Sequence, residues 1–212
     1  GHYCVRFASK SVEKTIPLWL LFLAVQFVDV LWAIFVLAGI EKVRIVPGIT
    51  ATNPLDLYYM PYTHSLVGSL FWSVLLLVIY RLLRATPGSA AVLVGAAVLS
   101  HWILDLLVHR PDLAIYDDAV KVGLGLWNYP ALSFGLEIFM LFGGIFLYMR
   151  STTSNSRIGT LGVPILGVVL VALQSMVFFG APPETPSAAA VTALFAYFLF
   201  VLLAFWLERY RT

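Results

Sequence analysis

Long runs of apolar residues, separated by short clusters of Pro, Gly and charge, dominate this chain. A helix rises about 1.5 Å per residue and a bilayer core is roughly 30 Å thick, so about 20 apolar residues make one crossing. Six stretches meet that length: 16–40, 62–83, 89–108, 130–149, 159–179 and 188–207. The breaks fall at Pro47-Gly48, Asn53-Pro54, Pro87-Gly88, Arg110-Pro111, the serine-rich 151–156 run and Pro182-Pro183, where turn formers interrupt the pattern. The pattern predicts an all-α fold, a polytopic transmembrane bundle of about six spans in a single domain over 1–212. Within it, 1–149 carries most of the polar residues and 159–207 reads as a C-terminal helical hairpin. Residues 1–15 are too short and too charged to cross alone, and a half-embedded helix is expected there. If it folds back near Pro17, His2 and Asp29 come to similar depth.

Composition agrees with lipid as the main solvent: 61% of residues are hydrophobic, 11% are charged, and mean hydropathy is +0.93. A net charge of +2 without a Lys/Arg-rich run argues against nucleic acid as a partner and leaves membrane lipids as the expected surroundings. Cys4 is the one cysteine, which excludes an intrachain disulfide and a cysteine-based zinc knuckle. No charged n-region followed by a short apolar stretch opens the sequence, so no cleaved signal peptide is expected. With six alternating spans, Arg6, Lys10, Lys14, Arg81, Arg84, Arg150, Arg157, Arg209 and Arg211 share one side, against Lys42, Arg44, Arg110 and Lys121. The richer side, with the C-terminus, is expected to be cytoplasmic, and loops 41–61 and 109–129 to face outward.

Against this background the ionisable residues inside the spans stand out. Asp29 lies in an apolar stretch, where an ionised carboxylate costs several kcal/mol unless it is paired or protonated. Its bland reading is a packing aspartate. His101, Asp105 and His109 follow one another at i, i+4 and i+8, so one helix face presents all three with metal-ligand spacing. In a soluble protein a hydrogen-bonded His/Asp pair would be the commoner meaning, but within a span such residues are rare and usually functional. His64 opens the second span on the same outward side, and Glu137 lies about two turns into the fourth. Imidazole and carboxylate together suit a divalent metal, zinc first and manganese or iron next, whereas calcium asks for more oxygens. Three such ligands with an open position would activate a water. Arg110 is the candidate to orient an anionic group, with a turn contact to Asp112 as its bland alternative. Glu137 or Asp112 is the candidate general base or ligand-orienting partner. There is no GxSxG, Walker or HExxH motif, and Ser65 and Ser100 read as capping or orienting hydroxyls.

Gly1-His2, Asp29, Thr63-His64-Ser65 and Ser100-His101 through Asp105 occur in the order seen in the LexA-regulated, membrane-bound predicted metal-dependent hydrolases of bacteria. The resemblance covers about 1–130. It implies a bacterial inner-membrane hydrolase with His2, Asp29, His64, His101 and Asp105 as metal ligands. The family often carries a second His shortly before Thr-His-Ser, where this chain has Met60-Pro61-Tyr62, and further acidic or His residues after the aspartate, where this chain has Val30-Leu31. Those departures weaken the expectation of two metals. The His-x-x-x-Asp spacing is similar to that of zinc-dependent phospholipases C, which points to a lipid, lipid-linked or phosphoester substrate. The competing expectation is a cation or proton-coupled transporter or channel using the same residues. The lack of an internal repeat and the nearly bare last two spans, with Gln174 their single strongly polar residue, speak against it. A non-catalytic scaffold tied by a closed metal site is the third.

Overall fold

The computed structural model describes residues 16–84 and 88–212. The expected half-embedded helix and His2 lie outside the described residues. The first span is two helices, α1 (Leu18–Val25) and α2 (Phe27–Leu37), bent by 50° at Gln26. Sequence reading expects one continuous span here. Neither Pro nor Gly marks the bend, which Gln26 makes with its own backbone at φ −91° and ψ 2°. Five longer helices follow: α3 (Leu66–Leu83), α4 (Gly88–Val108), α5 (Pro130–Ser151), α6 (Arg157–Phe179) and α7 (Pro186–Glu208). Each is long and apolar enough to cross a membrane, and the bent pair makes a sixth if counted as one span. The chain is therefore an all-α integral membrane bundle.

Local chemistry sets the helix starts. Ser65, Ser156 and Thr185 each turn a hydroxyl oxygen to the backbone N–H three residues on, and Pro opens α5 and α7 at a position with no helical donor to lose. The two longer loops hold antiparallel hairpins, β1 (Lys42–Ile45) with β2 (Leu55–Tyr59) and β3 (Leu113–Tyr116) with β4 (Ala119–Val122). Both hairpins occupy the end of the bundle where α2 and α4 finish. A short 3₁₀ turn, Leu126–Asn128, leads into α5.

The tightest packing joins α3 to α4, and α7 lies along α1 and α2. Small residues allow the first contact. Ala90, Ala91 and Gly95 face inward, a Cβ on Gly95 would stand 3.1 Å from the Ser73 carbonyl, and the Ser73 hydroxyl donates to Gly95 O at 2.7 Å. A second cluster, Trp32, Ala33, Val43, Leu57, Met60 and Ala190, seats the first hairpin on α2 and α7. These contacts bring α2, the start of α3, the end of α4 and the middle of α7 to one place.

Candidate metal centre

The turn at residues 60–65, just before α3, is irregular backbone in a membrane bundle, and such backbone persists only where protein groups satisfy it. Side chains supply nearly all of its bonds. Glu41 Oε1 accepts from the N–H groups of Tyr62 and Thr63, both at 2.9 Å. The carbonyls of Pro61, Tyr62, Thr63 and His64 accept from Ser65 Oγ, Trp72 Nε1, Ser69 Oγ and Trp102 Nε1 at 2.6 to 3.0 Å. Gly68 gives the turn room, because a Cβ there would lie 2.6 Å from the Tyr62 carbonyl oxygen. Glu41 is 1% exposed, so its end of this scaffold is sealed, while Tyr62 reaches the surface.

The same scaffold fixes the tautomer of His64. Thr63 Oγ1 lies 2.6 Å from Glu41 Oε2 and 2.7 Å from His64 Nδ1. Glu41 already accepts two N–H bonds through its other oxygen, so it takes the single Thr63 hydroxyl hydrogen as well. The Thr63 oxygen then accepts from His64 Nδ1–H. In the neutral ring the lone pair sits on Nε2, and Nε2 faces carboxylates: Asp29 Oδ1 at 3.2 Å and Asp105 Oδ2 at 3.7 Å. His101 Nε2 meets the same two atoms at 3.3 and 3.2 Å. In that tautomer the acceptor His64 Nε2 faces two carboxylate oxygens, an arrangement that positive charge between them, from a cation or a ring proton, stabilises. Asp105 Oδ2 is buried and has no hydrogen-bond partner among the described residues. The ligand atoms of Asp29, His64 and His101 lie within 4.8 Å of one another, so these three could hold a metal ion.

Further residues surround this group. Tyr197, on α7, donates its phenolic hydrogen to Asp29 Oδ2 at 2.7 Å. His109, just past the end of α4, directs Nε2 toward Asp105 Oδ1 at 3.9 Å, while its Nδ1 is 3.0 Å from Asp112 Oδ1 and its ring packs on Trp127. Asp112 is an acceptor only, so His109 Nδ1 carries the hydrogen. Arg110 Nε lies 3.1 Å from Asp112 Oδ2, and its Nη2 donates to Asp56, which also takes two bonds from Arg44. Arg44, Asp56, Arg110 and Asp112 form an alternating chain of charge that leads to His109, beside Asp105.

Of the residues singled out from sequence, the structure brings together Asp29, His64, His101 and Asp105, with His109 beside them. Asp112 and Arg110 sit one and two steps further out, the Arg110 to Asp112 contact included. Glu137 accepts from Gln174 Nε2 at 2.6 Å, across the α5–α6 contact, and its hydrogen bonding leads away from the cluster. Sequence reading misses Glu41, Thr63 as an orienting group, Trp102 and Tyr197. Thr63 adjoins His64, which is a signal. Nothing in the aromatic run around Tyr197 distinguishes that tyrosine from its neighbours.

Fold and cluster together define a class: an integral membrane helix bundle with a buried histidine–carboxylate centre at one end. Set against family models, curated proteins and solved structures, the chain finds no match in any of the three comparisons.

Proposed function

We propose that the chain is a membrane-embedded metal-dependent hydrolase that acts on a lipid or phosphoester substrate, with zinc as the metal. The observation that carries the reading is the convergence of one ligand atom each from Asp29, His64 and His101 within 4.8 Å, with the buried Asp105 Oδ2 aimed at the same two imidazole nitrogens. Four donor atoms around one zinc, at bonds of about 2.0–2.1 Å, stand about 3.3 Å apart when tetrahedral. Asp29 Oδ1 stands 3.2 and 3.3 Å from the Nε2 atoms of His64 and His101, so these three suit three corners of such a shell and leave the fourth for water. Asp105 Oδ2 lies 3.7 and 3.2 Å from the same two nitrogens. The Glu41–Thr63–His64 relay is the arrangement by which proteins hold a ligating imidazole in the right tautomer.

When bound, a divalent cation supplies Lewis acidity and makes water a nucleophile near neutral pH. The chain's own groups do the rest. Asp29, His64 and His101 would hold the metal with Asp105 turned toward the same two imidazoles, and His109 would take up a proton at Nε2 while Asp112 accepts its Nδ1–H. Arg110 supports Asp112, in place of the free anion-binding role that sequence suggests for it. Resemblance to the bacterial predicted hydrolases supports Asp29, His64, His101 and Asp105 in this role and adds His2, which lies outside the described residues. The cationic residues at the end away from the hairpins, Arg81, Arg84, Arg150, Arg157, Arg209 and Arg211, support a cytoplasmic C-terminus. On that orientation, in a bacterial inner membrane, the centre opens toward the outer half of the bilayer, where lipid substrates reach it laterally.

The test is elemental analysis of purified wild-type protein beside His101→Ala and Asp105→Ala. About one metal per chain in the wild type and strong loss in both variants is expected. Equal metal content in all three removes the mechanism.

A further inference from the structure

The carboxylate of Asp29 is divided between two partners. Its Oδ1 faces His64 and His101 at 3.2 and 3.3 Å, while Oδ2 is turned the other way and accepts the Tyr197 hydroxyl at 2.7 Å. A carboxylate can ligate through one oxygen or both, and a hydrogen bond to one oxygen holds that oxygen back. Tyr197 lies 168 residues from Asp29 in sequence and comes from the last helix, beyond the 1–130 stretch that carries the family resemblance. It is the contact of α7 with the centre. α7 also seats Ala190 and Leu194 against the cluster around Trp32 and Ala33, and it meets the start of α1 through Leu18 N–H donating to Glu208 Oε1 at 2.9 Å. The phenol is therefore held by packing above and below it.

We infer that Tyr197 is a positioning residue that keeps Asp29 monodentate, restricting the metal's coordination number so that a position stays available for water or substrate. This rests on the metal reading above. It assigns the C-terminal helix a part in the chemistry: α7 sets how Asp29 ligates without itself supplying a ligand.

Tyr197→Phe removes the hydroxyl and little else. Cobalt(II) titration of the detergent-solubilised wild-type and variant proteins reads both affinity and coordination number. The wild type should show the intense visible absorption of a low-coordinate cobalt centre. In Tyr197→Phe that absorption should weaken as Asp29 Oδ2 joins the metal, with cobalt affinity altered about 10–100-fold, the usual consequence of losing a partner behind a ligand. Identical spectra and affinities in both proteins would overturn the role of Tyr197 while leaving the metal reading intact. Absence of cobalt binding to the wild type would take down both. Should the variant not fold, a metal-bound minus metal-free infrared difference spectrum of the wild type answers the question. Widely split carboxylate stretches mark monodentate ligation, and narrow splitting alone would refute the proposal.

Discussion

Helices α4 and α5 are nearly equal in length and in hydropathy, 21 and 22 residues at 2.0 and 1.8, yet they live in different surroundings. α4 buries Ala90, Ala91, Val94, Gly95, Val98 and Trp102 and carries His101 and Asp105. α5 buries Ser133 alone among its described residues, and it lines an apolar cavity of about 260 Å³ with Gly144, together with Leu18, Phe22 and Gly167. The difference teaches that in lipid, apolarity marks a span without saying what it packs against. Lipid tails compete with protein for any leucine, so small and polar residues decide which helices come together. In the α1–α4 region with its hairpins such residues converge on the histidine–carboxylate cluster, whereas those of the α5–α6 hairpin, Gly159, Gly162 and Gly167 with the carbonyls that Arg211 bonds, only join helices to one another and to the C-terminus.

The sharpest separation between the two regions should come from Glu41. Replacing it by Ala removes the acceptor of the Tyr62 and Thr63 N–H groups, at about 1–3 kcal/mol each where buried, and frees the Thr63 hydroxyl to donate to His64 Nδ1 in the other tautomer. A loss of roughly 3 kcal/mol or more is expected, read as a lowered unfolding midpoint in detergent, together with loss of bound metal. Retention of both would mean that the turn at 60–65 stands without its scaffold.

Thr63→Val comes next. It keeps the shape and removes the acceptor for His64 Nδ1–H, so the ring is free to take the other tautomer. Metal affinity should fall about 10–100-fold, with Thr63→Ser close to wild type. Competition titration with a chelator measures both. A Val variant as tight as the wild type would detach the Glu41 relay from the centre.

A paired glycine test contrasts the regions directly. Gly68→Ala forces a Cβ to 2.6 Å from the Tyr62 carbonyl oxygen, an overlap worth about 1–3 kcal/mol of destabilisation. At Gly144 a Cβ meets nothing within 4 Å, and Gly144→Ala should stay within about 0.5 kcal/mol of wild type. Similar unfolding midpoints for the two variants would erase the distinction.

How far the sequence reveals these regions follows from the same physics. All six spans are legible because hydropathy over 20 residues survives any packing. The start of α3 is not, since Tyr62-Thr63-His64-Ser65 holds no Pro or Gly to separate it from the span that follows and belongs instead to a turn held from outside by Glu41 and Trp102. The bend at Gln26 has no Pro or Gly to announce it. The hairpins had a signal in the alternation of Lys42-Val43-Arg44-Ile45, overshadowed by the Pro and Gly that follow. Within the site, His101 and Asp105 are legible from their i, i+4 spacing, and Asp29 and His64 as polar groups among apolar ones. Glu41 and Tyr197 are not, because each becomes meaningful only through a partner that the fold delivers.

The smallest expected effect is at Glu137, the polar residue of the α5–α6 hairpin. Its Oε2 accepts from Gln174 Nε2 at 2.6 Å, and hydrogen bonds between membrane helices contribute about 0.6 kcal/mol on average. Glu137→Gln keeps a carbonyl oxygen for Gln174 and removes an ionisable group from the span, so the two terms oppose each other. Stability should change by less than about 1 kcal/mol, and metal content should equal that of the wild type, since no hydrogen bond among the described residues joins Glu137 to Asp29, His64, His101 or Asp105. The measurement is metal stoichiometry beside the unfolding midpoint. If Glu137→Gln emptied the centre while the protein stayed folded, Glu137 would belong to the chemistry, and the division between a half that holds the cluster and a hairpin that only spans would be wrong.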